Sequence, residues 1–208
     1  MFHLEILLGG AGGGPVIGMD TDFEALRMAR ALAATCGLAD RVRYVCGSVT
    51  QVPFRDGAFD QLFLVDVIEH VPDDAAVVRE SVRVLRSRGR LELSTPTPWY
   101  PRVFGARTHE GVGHVRPGYT LQEMRHHLET AGLLVRVARQ NTGGLLWPWM
   151  GLWYRVAWDG LWVGAPKRRV QKVPYHILLL VLSLLVQLGR WFDLVGGYCS
   201  NDLEAEKP

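Results

Sequence analysis

The sequence predicts an α/β protein built on a doubly wound, mostly parallel sheet, with an added C-terminal helical, apolar segment. Three observations carry this expectation. Leu62 to Ile68 is a short, nearly continuous apolar run, the pattern of a strand buried on both faces of a parallel sheet. Asp73 to Leu85 places Val77, Val78, Val82 and Leu85 on one stripe, which predicts an amphipathic helix capped by Asp73 or Asp74 and broken at Gly89. Leu91 to Ser94 then alternates as a strand closed by Thr95-Pro96. Strand, helix and strand make one right-handed crossover. Asp66, Glu69 and His70 fall at the carboxyl end of its first strand, where open parallel sheets place their ligands.

The elements before this unit are a short apolar run, Leu4 to Leu8, a glycine-rich stretch from Gly9 to Pro15, and a second apolar run, Val16 to Met19, ending at Asp20. A glycine turn after a first strand lets backbone approach a ligand closely, and an acid ending the second strand suits a ribose diol. Only eleven positions separate Gly9 from Asp20, and a crossover helix alone needs about ten residues or more. The first helix is therefore expected to be missing. Phe23 to Thr35 reads as a helix stopped at Gly37, and Val42 to Cys46 as a strand ending at Gly47-Ser48. After Pro96 a Pro-, Gly- and His-rich stretch holding His109, Glu110 and His114 reads as a functional loop. Thr120 and Glu123 form a capping box at the start of a helix stopped by Gly132, and Leu133 to Ala138 is a strand.

From Thr142 the composition changes. Five of the seven tryptophans lie between Trp147 and Trp162, followed by Lys167, Arg168, Arg169 and Lys172 and by the apolar run Ile177 to Val186. That run is too short to span a bilayer, which takes about twenty residues. Tryptophans, basic residues and an apolar helix together fit a peripheral membrane surface, a helical cover for the core, or a dimer face. The expected division is an α/β domain over 1–141, the Trp-rich apolar segment over 142–195, and a polar tail or degenerate last strand over 196–208.

The 208 residues include 48% apolar and 21% charged residues, enough for one domain with its own core. A net charge of +2 without a long basic run argues against a nucleic-acid partner. Cys36, Cys46 and Cys199 match neither a disulfide framework nor a zinc spacing, and the N-terminus has no secretory pattern. The expected compartment is the cytoplasm, peripheral to the inner face of the membrane if the Trp-rich segment docks there.

Several motifs occur in a fixed order: Pro53-Phe54, Asp56, Phe59-Asp60, Glu69-His70-Val71, Arg83-Val84-Leu85, Gly89 and Pro96, then His114-Val115-Arg116, Tyr119-Thr120 and Glu123-Met124. In this the chain resembles the class I S-adenosylmethionine (SAM)-dependent methyltransferases, in particular the small-molecule branch that includes quinone and sterol methyltransferases. The resemblance implies a Rossmann-like sheet, SAM as cofactor and a small, hydrophobic acceptor such as a quinone-like molecule, a lipid or a natural product. It implies cofactor contacts from Gly9, Gly10 and Gly12 to the methionine part, from Asp20 to the ribose, from Ser48 and Val49 around the adenine, and further contacts from Thr21 and from Asp66 and Val67 at the fourth strand. Candidate bases are His70, His109 and His114, with Glu69 beside them. Asp66, Glu69 and His70 with a downstream His could also ligate a divalent metal, but the spacing recurs without one and no metal is expected. The family's acid two residues before the first glycine is here Leu7, and the chain starts at this strand without the family's leading helix. Three readings stay open: a fragment, a rearranged but active site, or a methyltransferase-like chain that has lost its cofactor and binds a partner or membrane instead.

Overall fold

The computed structural model describes residues 6–9, 16–100, 111, 113–143 and 198–208. In chain order the elements are β1 (Ile6–Gly9), β2 (Val16–Asp20), α1 (Phe23–Thr35), β3 (Val42–Cys46), β4 (Phe59–Val65), a 3-10 turn (Ile68–His70), α2 (Asp74–Val84), β5 (Leu85–Pro96), α3 (Leu121–Thr130), β6 (Leu134–Gly143) and β7 (Tyr198–Glu206). The strands form one sheet of order β3-β2-β1-β4-β5-β7-β6. β2 pairs parallel with β3, and β4 with β5, while β1 is antiparallel to both of its neighbours and β7 to both of its own. The sheet is thus mixed rather than mostly parallel in its pairings, although β2 to β6 all point the same way.

Chain length explains β1. Six residues link Gly9 to Val16. A parallel neighbour would need a crossover of a dozen or more, whereas an antiparallel neighbour needs only a turn. Of the crossovers that remain, β2 to β3 steps towards one edge, while β4 to β5 and β5 to β6 step towards the other. Being right-handed, they put α1 and α2 on opposite faces, which preserves the double winding.

The core lies on the α2 side. Leu62 and Leu64 of β4 stand level with Leu91 and Leu93 of β5, which stand level with Ala205 and Leu203 of β7. This buried ladder clusters with Val77, Val78 and Val84 of α2 and Met124 and Leu128 of α3. The other face is more polar: Gln61 Nε2 donates to Glu92 Oε1 (2.8 Å), the Ser94 and Ser200 hydroxyls pair (2.9 Å), and Val65 is half exposed. The expectation that β4 is buried on both faces is corrected accordingly. Of the two alternatives for the C-terminus, a polar tail or a degenerate last strand, β7 is the strand. Asn201, Leu203 and Ala205 are buried in alternation with more exposed acids, and the strand sits inside the sheet between β5 and β6. The expected Trp-rich and apolar helical segment lies outside the described residues, apart from the last positions of β6. No described helix is long and apolar enough to cross a membrane.

Caps set the helix starts, at Asp73 and at the Thr120–Glu123 box as the sequence predicts and at Asp22 in addition. Asp22 accepts from the backbone N–H of Glu24 and Ala25, Asp73 from that of Ala76, and both arms of the Thr120–Glu123 box are closed. One side chain ties α2 to the loop before β4. The Arg83 guanidinium donates to the carbonyls of Val52 (2.8 Å) and Phe54 (2.7 Å), to Asp56 and to Glu80, while Glu80 accepts from the Val52 N–H (2.7 Å). Asp60 pairs with Arg86. Because a flat guanidinium fork is what spans two carbonyls and two carboxylates, Arg83→Ala is expected to cost about 2–3 kcal/mol in urea unfolding, and Arg83→Lys to recover less than half of it. A loss below about 0.5 kcal/mol, the ordinary scatter of surface substitutions, would contradict this assignment.

Candidate functional site

The carboxyl ends of β2, β3, β4 and β5 share one edge of the sheet. At the end of β2, Asp20 is only 4% exposed, and its Oδ1 accepts from the Asp22 N–H (2.8 Å) just ahead of α1. Its register partner is Cys46, the last residue of β3, and its carbonyl accepts from Gly47 N–H (3.0 Å). Asp20 therefore meets the turn Gly47–Thr50. Val49 is buried there, and the Ser48 hydroxyl is occupied locally, pairing with Thr50 Oγ1 (2.8 Å) and accepting from Thr50 N–H (3.3 Å). Thr21 is exposed beside Asp20.

At the end of β4 the chain turns sharply. Asp66 takes φ 53°, a left-handed conformation that aspartate tolerates better than most residues. The residue reaches solvent, yet the protein around its carboxyl and the nearby charge of Asp202 push its pKa up to about 6. Val67 and Ile68 are buried, and Glu69 is 0% exposed. Burial first, then the charge of Asp66, push the Glu69 carboxyl up to about 8, against a hydrogen bond from Thr95 Oγ1 to its Oε2 (3.3 Å).

The loop before α3 folds back onto this turn. Val115 N–H donates to the Glu69 carbonyl (3.0 Å), and Tyr119 N–H to the Pro96 carbonyl (2.9 Å). The Tyr119 hydroxyl donates to Asp74 Oδ2 (3.0 Å), so burial and this bond hold the phenol well above its usual range. Arg116 pairs with the same carboxylate (3.0 Å) and lies 4.5 Å over the Tyr119 ring. Gly118 takes φ 132° where its backbone crosses Pro96 and Thr97; a Cβ there would collide with both carbonyls. These ties bring His114 to the turn. Its Nε2 lies 4.0 Å from Glu69 Oε1, His70 Nε2 lies 3.9 Å from the same oxygen, and the two rings meet edge to face at 4.6 Å.

Of the residues expected from the sequence, the structure places Asp20, Thr21, Ser48, Val49, Asp66, Val67, His70 and His114 along one edge. Gly9 is not brought there. It pairs with Gln61, beside the first residues of β2 and β4, because β1 runs antiparallel. Four residue steps of extended strand lead from Val16 to Asp20, about 13 Å, so Gly9 stands at the opposite edge. Gly10, Gly12 and His109 lie outside the described residues. Asp202 and Thr95 join the site without having been expected, since β7 reaches it only through long-range pairing. A cleft of about 430 Å³ between α2 and α3, lined by Val78, Arg79, His127 and Ala131, lies away from this edge.

Residues 3–93 match the family described as "Methyltransferase domain". The chain is 30% identical over 122 residues to 27-O-demethylrifamycin SV methyltransferase of Amycolatopsis mediterranei, covering 57% of this chain and 45% of that protein. It is 44% identical over 64 residues to demethylmenaquinone methyltransferase of Mycolicibacterium gilvum, covering 29% and 28%. With ubiquinone biosynthesis O-methyltransferase of Marinobacter nauticus it shares 29% over 138 residues, covering 60% and 56%. The chain thus spans about half or less of these relatives. In fold it is similar to the [4+2]-cyclase SpnF (TM-score 0.66, 16% identity, 94% of this chain and 67% of that one). It is also similar to geranyl diphosphate C-methyltransferase from Streptomyces coelicolor A3(2) (TM-score 0.62, 14% identity, 94% and 63%). At such identities the likeness establishes the fold alone, and the cyclase illustrates that one fold hosts more than one chemistry.

The site's electrostatics are testable through Asp66. Its folded pKa of about 6 exceeds the ordinary carboxyl value. The folded state therefore holds this proton more tightly than the unfolded chain, and the group's contribution to stability falls as pH rises through about 4 to 6. Asp66→Asn, which keeps the shape and tolerates the left-handed backbone, is expected to raise Tm above pH 7 and leave it nearly unchanged near pH 4. A variant less stable than the wild type at pH 8 would show that the ionised carboxylate is stabilising.

Proposed function

We propose, from the premise that residues 3–93 form a methyltransferase domain of the class I SAM-dependent type, that this chain binds SAM at the ends of β2, β3 and β4. It would transfer the methyl group to a small, hydrophobic acceptor of the quinone, lipid or natural-product kind. The observation that carries the reading is Asp20, a buried carboxylate held at the end of β2 against the Gly47–Thr50 turn. A carboxylate there fits a ribose diol, accepting from both hydroxyls. Val49 adds buried apolar surface on the adenine side. Gly9 itself does not meet the methionine part, since it stands at the other edge.

The reaction asks little covalent chemistry of the protein. A lone pair of the acceptor attacks the methyl carbon in line, the carbon–sulfur bond breaks, and S-adenosylhomocysteine leaves as a neutral thioether. The chain's contribution is to align the two reactants and, for a hydroxyl acceptor, to take its proton. His70 and His114, fixed at the turn after β4, are the candidates for that proton. Loop 113–119, bound to the turn and to α2, supports a role as the cover that keeps water from the acceptor.

A second reading has a specific observation behind it: with Gly9 at the far edge, the chain would be a methyltransferase-like protein that binds a partner or membrane and no cofactor. Membrane contact would come from the Trp-rich segment, and so would a homodimer face. Isothermal titration separates the two main readings. S-adenosylhomocysteine is expected to bind the wild-type chain, and Asp20→Ala to weaken it more than tenfold, the scale of a charge-assisted hydrogen bond worth about 1.5–3 kcal/mol. No detectable binding to the wild type would favour the second reading. Pelleting with anionic liposomes should fall when Lys167, Arg168 and Arg169 are changed to Glu, a test that spares β7, and unchanged pelleting would end the membrane assignment.

A further inference from the structure

We infer that the cleft between α2 and α3 is a second binding site, one that takes a small organic anion with an apolar tail, of the medium-chain carboxylate class. Its volume of about 430 Å³ falls within the range of about 300–1,000 Å³ that small-molecule sites occupy. Each helix presents one stripe to it. Ala75, Val78 and Arg79 stand three and four positions apart on α2, and His127, Thr130 and Ala131 do the same at the end of α3.

The floor is apolar. Val78 is buried and belongs to the main core cluster, and Ala131 packs against that cluster while keeping part of its surface open. Ala75 and Ala131 have short side chains, and they leave the space that a leucine would fill. The floor therefore offers apolar surface that the protein's own side chains do not cover.

The rim is cationic. Among the described residues the one ion pair of Arg79 is with Asp73 Oδ2 at 3.9 Å, too long for a hydrogen bond. Asp73 uses its other oxygen to cap α2, accepting from Ala76 N–H (2.9 Å). His126 and His127 each add an imidazole N–H donor even as neutral rings. No carboxylate lines the cleft among the described residues. The acids of α3 have other partners: Glu123 closes the capping box with Thr120, and Glu129 pairs with Arg125 (3.8 Å).

Charge and shape together choose the occupant. A carboxylate can take two arms of the Arg79 fork while the tail behind it lies on Val78 and Ala131. A cationic amphiphile would meet the same floor and a rim of its own sign. Each stripe advances only about 6 Å along its helix, at 1.5 Å per residue, which suits a small molecule rather than a partner helix.

The test titrates the full chain calorimetrically with octanoate, and with octyltrimethylammonium and butyrate in parallel. One octanoate per chain is expected, with the cationic amphiphile at least tenfold weaker. Butyrate, four methylenes shorter, should also bind at least tenfold more weakly, since each buried methylene is worth up to about fourfold. Arg79→Glu, which reverses the rim, and Ala75→Leu, which fills the space, should each weaken octanoate at least fivefold. Arg125→Glu, on α3 but outside the cleft, should leave it unchanged. Circular dichroism checks that each variant folds, and if one does not, the other variant and the head-group comparison on the wild type still decide. Four results would each overturn the assignment: no saturable octanoate binding, equal binding of the cationic amphiphile, unchanged affinity in a folded Arg79→Glu or Ala75→Leu, or an equal loss in Arg125→Glu. So would a self-association that Ala75→Leu abolishes in a chain that binds no octanoate, which would make the cleft a contact between copies. The outcome is independent of methyl transfer, because S-adenosylhomocysteine binding is read in a separate titration at the other site.

Discussion

The constraint on which the rest depends is the length of one connection. Six residues between β1 and β2 cannot hold a crossover helix, so the two strands meet antiparallel. Everything downstream keeps the orientation that double winding requires: β2 to β5 point the same way, and their ends converge on one edge. The price is that Gly9 ends up at the other edge. The site is left to be built from Asp20, the turn after β3 and the turn after β4.

The turn after β4 is held by pieces from far along the chain. Thr95 reaches Glu69 from β5, Asp202 raises Asp66 from β7, and the 113–119 loop closes over both through Val115 and Tyr119. Tyr119 is itself fixed twice: its hydroxyl donates to Asp74 at the start of α2, and its carbonyl accepts from Asn201 of β7 (2.6 Å). A buried polar network of this kind is worth its desolvation only when nearly every member is satisfied. Glu69 Oε1 is the member left over, and it faces both histidines.

Much of this was legible in the sequence because local chemistry dictated it. The capping acids, the Thr120–Glu123 box and the β4–α2–β5 unit follow from residues a few positions apart. The missing helix followed from counting residues between Gly9 and Asp20. The reversed strand did not, because it is what the sheet does with a short link, not a property of any residue in it. In the sequence β7 reads as either a polar tail or a degenerate last strand, because its acids mask the period-two pattern of Asn201, Leu203 and Ala205. The grouping of His70 and His114 around Glu69 was half visible. Adjacent Glu69-His70 stood out, but which downstream histidine joins them is decided by hydrogen bonds between Glu69 and Val115 and between Pro96 and Tyr119, which spacing does not reveal.

Hydrogen–deuterium exchange of the full chain with and without S-adenosylhomocysteine tests the central claim most directly, because it shows which edge of the sheet meets the nucleoside. The account predicts slowed exchange in peptides covering 18–22, 46–50 and 66–70, with 9–15 unchanged. Protection confined to the glycine turn, or absent at the ends of β2 and β4, would contradict it.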